Sequence, residues 1–273
     1  MKITYLGTAA YEGVPAPFCK CRVCTLARER GGRNMRSRSQ ALINGELLVD
    51  FNADTVWHYH KYGFDWESIG DCIITHSHCD HLFEEDAEIA VEPYTREHRT
   101  INFYSGEDGY NKLKNFCGGK QKGATVTLVC AGDKFITSTG YEVTAFEADH
   151  DKSSSPLFYS VAKDGKKLLY AHDTGYFPES TWELLRDAGR FDFISLDCTG
   201  CLGLGGNWVN GHMSFGTDLD VIDRMKKLEL IDESTKIVIN HFSHNGGQIY
   251  DEMLKEAQNH GIIVSYDGLE IEF

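Results

Sequence analysis

A chain of 273 residues with 41% hydrophobic and 25% charged content has the composition of a folded globular protein, long enough for one large core or two modest ones. Its formal net charge of −14 opposes the phosphate backbone of long nucleic acids, and no stretch approaches the roughly 18 apolar residues of a membrane span. Met1 to Leu6 runs straight into a strand-like pattern instead of a signal peptide, and nine cysteines, an odd number gathered in CKCRVC and CTGC, make a poor secreted disulfide framework, so a cytoplasmic protein with reduced thiols is expected.

Apolar alternation predicts strands at 2–6, 39–44 and 46–51, the last two joined through Asn44-Gly45, a dipeptide suited to the tight primed turn of an antiparallel hairpin. Between the first two lies GTAAYEGVPAPFCKCRVC, a cysteine-rich loop at 19–24, and then ARERGGRNMRSR (27–38), read as a solvated basic loop able to hold an anionic group. A helix at 53–62 and a strand at 71–75 lead into THSHCDH and a helix at 80–90. Strands at 101–105, 124–130, 141–147, 156–163 and 166–172 follow, with a helix at 107–116 and a second hairpin turn at Asp164-Gly165. Pro178 opens a helix at 179–188, and strands at 191–197 and 235–240 alternate with helices at 215–227 and 247–259. Strands at 262–266 and 269–273 flank Asp267-Gly268 and are expected to pair as a third antiparallel hairpin. Hairpins followed by strand–helix units recur on either side of residue 120, which predicts two packed sheets with helices outside, in one domain spanning 1–273. Tandem small domains are the alternative.

THSHCDH places three histidines and an aspartate within six positions, directly behind a buried-looking strand. His76 and His78 are two apart, so on an extended chain both imidazoles point to one side and can share an ion. Asp80 and His81 diverge from them towards a second, nearby ion, and a helix starting at 80 would add its amino-terminal dipole to Asp80. Two divalent ions about 3.5–4 Å apart generate a nucleophile from water at neutral pH, and the product of that chemistry is hydrolysis.

The stretch resembles the H-x-H-x-D-H signature of the metallo-beta-lactamase superfamily. The resemblance implies an α/β (α+β) fold, a four-layer αβ/βα sandwich, which matches the strand–helix reading. It also implies further ligands in order: His150 in EADHD, Asp173 in YAHDTGYF as the carboxylate between both ions, and His241 in INHFSH. By that carry-over the first ion takes His76, His78, His150 and Asp173, and the second takes Asp80, His81, His241 and Asp173. His/Asp sites of this kind accept zinc or manganese.

Cys19, Cys21 and Cys24 offer three thiolates for a structural zinc, and a fourth ligand must come from elsewhere. One candidate is the pair Cys198 and Cys201, which with Cys21 and Cys24 would give a four-cysteine site. The other is His244. The C-x-C-x-x-C stretch is similar to that of the cyclic phosphodiesterases of the carbon–phosphorus lyase pathway, and that resemblance favours His244, three residues past the last catalytic ligand. It further implies that His212, in NGHMS, acts on the substrate by protonating a leaving oxygen; Asp80 and His212 are the residues expected to carry catalysis. Cys72, Cys117 and Cys130 read as reduced, half-buried thiols, His58, His60, His98 and His260 as surface or packing residues, and His172 as facing away from the ions.

The expected function is hydrolysis of small, cyclic nucleotide or phosphoribosyl phosphodiesters by a hydroxide activated between two divalent ions. Rivals are a carboxyl-ester, thioester or lactone hydrolase, a transfer-RNA-processing nuclease, and a non-catalytic carrier of the pyrroloquinoline quinone biosynthesis type. Expected partners are the small phosphodiester itself, no long nucleic acid and no membrane, with a homodimer left open.

Overall fold

The computed structural model describes residues 1–97, 99–116, 123–203 and 208–273, so His98 and Cys117 lie outside the described residues. In the first of two sheets, β1 (Lys2–Gly7), β2 (Gln40–Ile43) and β3 (Leu47–Val49) run antiparallel. β4 (Asp71–Ile73), β5 (Ile101–Ser105) and β6 (Ala124–Leu128) extend that sheet in parallel. In the second sheet, β7 (Lys134–Ile136), β8 (Glu142–Glu147), β9 (Leu157–Lys163) and β10 (Lys166–Ala171) form an antiparallel meander. β11 (Phe193–Asp197), β12 (Lys236–Asn240) and β13 (Ile263–Val264) continue it in parallel, while β14 (Glu270–Glu272) returns to pair with β1. Each sheet has seven strands, in the orders β14-β1-β2-β3-β4-β5-β6 and β13-β12-β11-β10-β9-β8-β7.

Strand periodicity sorts the side chains into layers. Ile3, Tyr5, Ile43, Val49 and Ile73 of the first sheet meet Val143, Tyr159, Leu168, Phe193 and Val238 of the second in the core between them. The first two helices are α1 (Arg22–Arg30) and α2 (Thr55–Tyr62). The alternate residues face outward: Leu42, Leu48, Cys72 and Phe103 are covered by a cluster that includes Ala87 of α3 (Glu84–Ala87) and Leu113 of α4 (Glu107–Phe116). On the other side, Phe146, Leu169, Ile194, Leu196 and Ile239 pack against α5 (Glu179–Arg186), α6 (Phe215–Lys227) and α7 (Tyr250–Gln258). The result is the four-layer α+β sandwich that the H-x-H-x-D-H stretch implied. Among the described residues no helix is long and apolar enough to cross a membrane.

Three local expectations need correction, and one strand was not foreseen. Asp267-Gly268 makes a tight bend but no hairpin: β13 before it joins β12 in the second sheet, and β14 after it joins β1 in the first. A turn dipeptide fixes a bend and not its partners, and here the Gly268 N–H is taken by Tyr5 O at 2.7 Å. The cysteine-rich and basic segment contains a helix (Arg22–Arg30) capped by Cys21, with Val23, Cys24 and Ala27 buried beneath an arginine-rich outer face. Its arginines and those just beyond are used internally: Arg30 pairs with Asp251 at 2.9 Å and Arg38 with Asp54 at 2.9 Å, and the buried Arg36 lies 4.1 Å from the Phe242 ring centroid. No free anion-binding loop results. The helix expected at 80–90 begins only at Glu84, because 78–82 form a tight turn closed by His81 N–H and Leu82 N–H on His78 O, so Asp80 gains no helix dipole. Finally, β7 is a three-residue edge strand, exposed at Lys134 and Ile136 and too short to show alternation.

Asp218 on α6 is wholly buried, and among the described residues neither carboxylate oxygen has a hydrogen-bond partner of good geometry, the weakly donating Cys198 thiol being the group beside it. Burial raises its pKa well above the ordinary carboxylate range. A carboxyl whose folded pKa is raised costs stability as pH rises past the unfolded value near 3.8. Asp218→Asn should therefore raise the melting temperature at pH 8 by a few degrees, corresponding to about 1–2 kcal/mol, with the gain shrinking towards pH 4. A pH-independent loss of stability would show that this carboxyl has a partner worth keeping.

Candidate metal centre

Every side chain singled out for the two ions follows the carboxyl end of a strand: His76, His78, Asp80 and His81 follow β4, His150 follows β8, Asp173 follows β10 and His241 follows β12. Their ligand atoms converge in three overlapping groups, each within 4.8 Å: His76 with His78 and His150, Asp80 with His81 and His241, and Asp173 with His76 and His81. The carboxylate of Asp173 thus lies where the two imidazole sets meet.

Hydrogen-bond partners set the imidazole tautomers. His81 Nδ1–H donates to Asp50 Oδ2 at 2.7 Å, and Asp50 Oδ1 accepts from the Thr75 N–H and hydroxyl at 2.7 and 2.9 Å. His150 Nδ1–H donates to Gly211 O at 2.8 Å, His78 Nε2–H to Asp151 Oδ2 at 3.2 Å and His241 Nδ1–H to Thr199 Oγ1 at 2.8 Å. With those hydrogens committed, and that of His76 Nδ1 on Thr75 Oγ1 at 3.1 Å, His76 Nε2 and His150 Nε2 turn lone pairs towards His78 Nδ1 at 3.0 and 3.2 Å. Burial lowers the pKa of His76 well below 6.5 and that of His150 in the same direction, so both are neutral and able to ligate.

Asp173 Oδ2 is buried and accepts no hydrogen bond, although His81 Nε2 and His241 Nε2 stand 2.8 and 2.9 Å away. Burial favours the neutral acid, but the facing imidazoles of His241 and His81 hold this carboxyl well below its usual range. Burial alone would keep His81 neutral, but the charges of Asp173, Asp50 and Asp80 raise it well above 6.5, so an ionised oxygen between these imidazoles draws positive charge to the spot, either a ring proton or a cation, and the donor set fits divalent ions of the His/Asp-binding type. The backbone is also constrained: Asp50, Asp173 and His241 all have left-handed φ, of 70°, 50° and 63°. The Asp173 N–H is held by Asp197 Oδ2 at 2.9 Å.

His212 stands beside this cluster, with Nδ1 3.1 Å from Asp197 Oδ2 and 3.2 Å from Thr199 Oγ1. That leaves Nε2 for whatever occupies the cleft. Burial lowers its pKa, but the charge and hydrogen bond of Asp197 outweigh this and bring it up to about 9. Asp197 itself comes within ligand distance of Asp173, His212 and His241, yet its oxygens already accept the N–H groups of Asp173, Thr199 and Met213. It positions His212 and the Asp173 backbone. Asp50, Asp197 and Thr199 were not singled out by sequence reasoning. The one available signal was a carboxylate directly after an apolar strand run, which Asp50 and Asp197 share with Asp173.

A second cluster gathers Cys19, Cys21, Cys24 and His244 within 4.8 Å. His244 Nδ1 is 3.4 Å from Cys21 Sγ and 3.7 Å from Cys19 Sγ. Backbone N–H groups of Ala16, Cys21 and Cys24 donate to the sulfurs of Cys24, Cys19 and Cys21 at 3.3, 3.4 and 3.5 Å, as thiolates require. Burial raises the Cys21 thiol, but the Cys24 N–H and the neighbouring Cys19, Cys24 and His244 bring it down to about 7. The donor set fits zinc. On the far side of the ring, Glu12 Oε1 lies 3.5 Å from His244 Nε2 and accepts from Ser243 Oγ at 2.5 Å. Cys198 and Cys201 are buried in a neighbouring turn and join no such group among the described residues. Cys79 and Cys130 are exposed, while Cys72 is buried. His58 is buried, donating from Nδ1 to Gln40 Oε1 at 2.6 Å, and His60 and His260 are exposed. His172 turns away from the ion cluster to Ser195 Oγ at 2.8 Å and Asn240 Nδ2 at 3.2 Å.

The metal-type cluster forms the floor of an open cleft of about 520 Å³ whose wall includes Ala10, Tyr11, Glu12, Trp208, Ser243 and Asn245. A second cavity of about 360 Å³, lined by Phe51, Tyr59 and Trp66, contains none of the candidate ligands.

Residues 63–238 match the beta-lactamase superfamily domain. An exodeoxyribonuclease of Bacillus anthracis, YycJ, is 25% identical over 134 residues, 46% of this chain and 44% of that protein. The chain thus spans less than half the length of that relative. Zinc-bound PqqB from Methylobacterium extorquens superposes with a TM-score of 0.79 at 19% identity, covering 100% of both chains. A diphosphatase of the PhnP family superposes with a TM-score of 0.73 at 20% identity, covering 100% of this chain and 97% of the other.

Proposed function

The chain belongs to the beta-lactamase superfamily, and we propose that it is a metal-dependent phosphodiesterase acting on small, cyclic nucleotide or phosphoribosyl esters. His76 Nε2, His78 Nδ1, His150 Nε2 and Asp173 hold one ion, and Asp80, His81 Nε2, His241 Nε2 and Asp173 hold the other. Two such ions lower the pKa of water towards neutrality and stabilise negative charge developing on a phosphoryl oxygen.

The observation that favours phosphodiesters over carboxyl esters is His212. Its Nδ1–H is fixed on Asp197, whose charge holds the ring as an imidazolium, so Nε2–H at the cleft gives its proton to the departing oxygen and leaves a neutral imidazole with Nδ1–H still on Asp197. A ribose alkoxide is a strongly basic leaving group and needs that proton. The diphosphatase and exodeoxyribonuclease among the similar proteins are named for cleaving phosphoric bonds, which supports the same choice. Long DNA or RNA is disfavoured by the net charge of −14. The second reading, a carrier without catalysis, rests on the likeness to PqqB. The chain acts as one unit over 1–273, because the core between the sheets draws on both halves, and the cytoplasm suits its free thiols.

A third ion, zinc, is held by Cys19, Cys21, Cys24 and His244, with the Glu12 carboxylate 3.5 Å from the outer imidazole nitrogen. The purified chain should bind three ions in two classes, because thiolates hold zinc far more tightly than a His/Asp site holds manganese. A gentle chelator should remove two ions and all hydrolysis while circular dichroism stays native. His244→Ala should release the tightly held ion and lower the melting temperature, whereas Cys198→Ser with Cys201→Ser should keep three ions. Loss of the tight ion in the double serine variant but not in His244→Ala would assign the site to four cysteines, and a metal content that never exceeds two would remove the structural site altogether.

A further inference from the structure

Two aromatic side chains, one from each half of the fold, line the cleft above the candidate ion site. Tyr11 sits in a turn closed by Gly13 N–H on Ala10 O at 3.0 Å, yet the residue is 56% exposed. The turn is anchored on every side. Ala10 N–H donates to Phe242 O, next to His241, at 3.0 Å, and Arg38 Nε–H donates to Tyr11 O at 2.9 Å. Val14 and Arg36 exchange backbone hydrogen bonds of 2.9 and 2.7 Å. A tyrosine on so fixed a backbone, its ring bordered by the Arg38 guanidinium 5.7 Å from the centroid and otherwise more than half exposed, forgoes the burial that usually motivates an aromatic at a rigid position.

Trp208 is held just as firmly. Its N–H donates to Ser214 Oγ at 3.1 Å, its carbonyl accepts from Thr217 Oγ1, and its indole lies so close to Gly200 that a Cβ there would meet Trp208 Cδ2 at 3.1 Å. Among the described residues no lysine or arginine lines the cleft, while Glu12 adds a carboxylate. A ligand carrying several phosphate charges would therefore go unpaired outside the ion site. What the walls offer is ring faces, and a cleft of about 520 Å³ has room for one nucleotide and not for a chain of them.

We propose that Tyr11 and Trp208 are specificity-determining residues that stack on the planar ring of the substrate, making the preferred ester a singly charged mononucleotide phosphodiester and not a bare sugar phosphate. This rests on the phosphodiesterase reading and narrows it. Stacking acts equally on substrate and transition state, so its loss appears in KM and not in kcat.

The test measures kcat and KM of the metal-loaded protein on adenosine 2',3'-cyclic phosphate and on methyl riboside 2,3-cyclic phosphate, which lacks the base. In Tyr11→Ala and in Trp208→Ala the ratio of the two KM values should rise about tenfold over that of the unaltered protein, and Tyr11→Phe should keep the original ratio. Unchanged ratios in both alanine variants, or a Tyr11→Phe variant as impaired as Tyr11→Ala, would overturn the proposal. If the unaltered protein hydrolyses neither ester, the phosphodiesterase reading fails by itself. Ring recognition is then judged by calorimetry with adenosine against ribose: binding of adenosine alone that weakens about tenfold in Tyr11→Ala supports stacking, and equal or absent binding of the two rejects it.

Discussion

Replacing Asp173 should reduce hydrolysis of every phosphodiester by at least about 10³-fold, the rate equivalent of several kcal/mol of lost transition-state charge stabilisation. The same change should lower the number of ions bound per chain. Asp173 is the carboxylate that reaches both ligand sets: Oδ2 is 2.8 Å from His81 Nε2 and 2.9 Å from His241 Nε2, while Oδ1 is 3.8 Å from His150 Nε2. Two variants separate chemistry from folding. Asp173 has a φ of 50°, a conformation that alanine adopts at some cost and asparagine tolerates, so Asp173→Asn should fold like the unaltered protein and still lose ions and turnover. Near-normal turnover by Asp173→Asn with a full complement of ions would contradict the shared-carboxylate centre.

The second large effect depends on the leaving group. His212→Ala should lower kcat on adenosine 2',3'-cyclic phosphate by about 10²-fold more than on bis-nitrophenyl phosphate, the size of a general-acid contribution. Nitrophenolate is stable as an anion and departs without a proton, whereas the ribose alkoxide must be protonated as the bond to phosphorus breaks. KM should change less than kcat, because the proton is shared only in the transition state. Metal content should stay unchanged, since Asp197 still holds the Asp173 N–H at 2.9 Å without help from the imidazole. Equal losses on both esters would make His212 a binding group for the phosphate. No loss on either would remove the main reason for preferring phosphodiesters.

The centre was legible where its ligands are neighbours in sequence. His76, His78, Asp80 and His81 share one short loop after one strand, so their spacing alone carried the metal reading. His150, Asp173 and His241 are single residues after distant strands, and only the family resemblance picked them out. Asp50 and Thr199 escaped altogether, because what identifies them is a hydrogen bond across the fold, of 2.7 Å to His81 and 2.8 Å to His241. Strands were readable from period-two burial, as at Phe193 and Ile194, which enter different core layers. The helix Arg22–Arg30 was hidden because arginines dominate its outer face and only Val23, Cys24 and Ala27 mark the inner one. Asp267-Gly268 misled because local turn chemistry says nothing about which sheet each flank will join.

The most direct test of a phosphodiesterase is kcat/KM of the purified, metal-loaded chain on adenosine 2',3'-cyclic phosphate and bis-nitrophenyl phosphate beside a carboxyl ester, a thioester and a lactone. Turnover of both phosphodiesters, at least about 10²-fold more efficient than any of the three carboxyl substrates, is the predicted result. A preference for a carboxyl substrate would place the chain among the other hydrolases of its superfamily, and no turnover of any of the five with all three ions bound would make it a carrier.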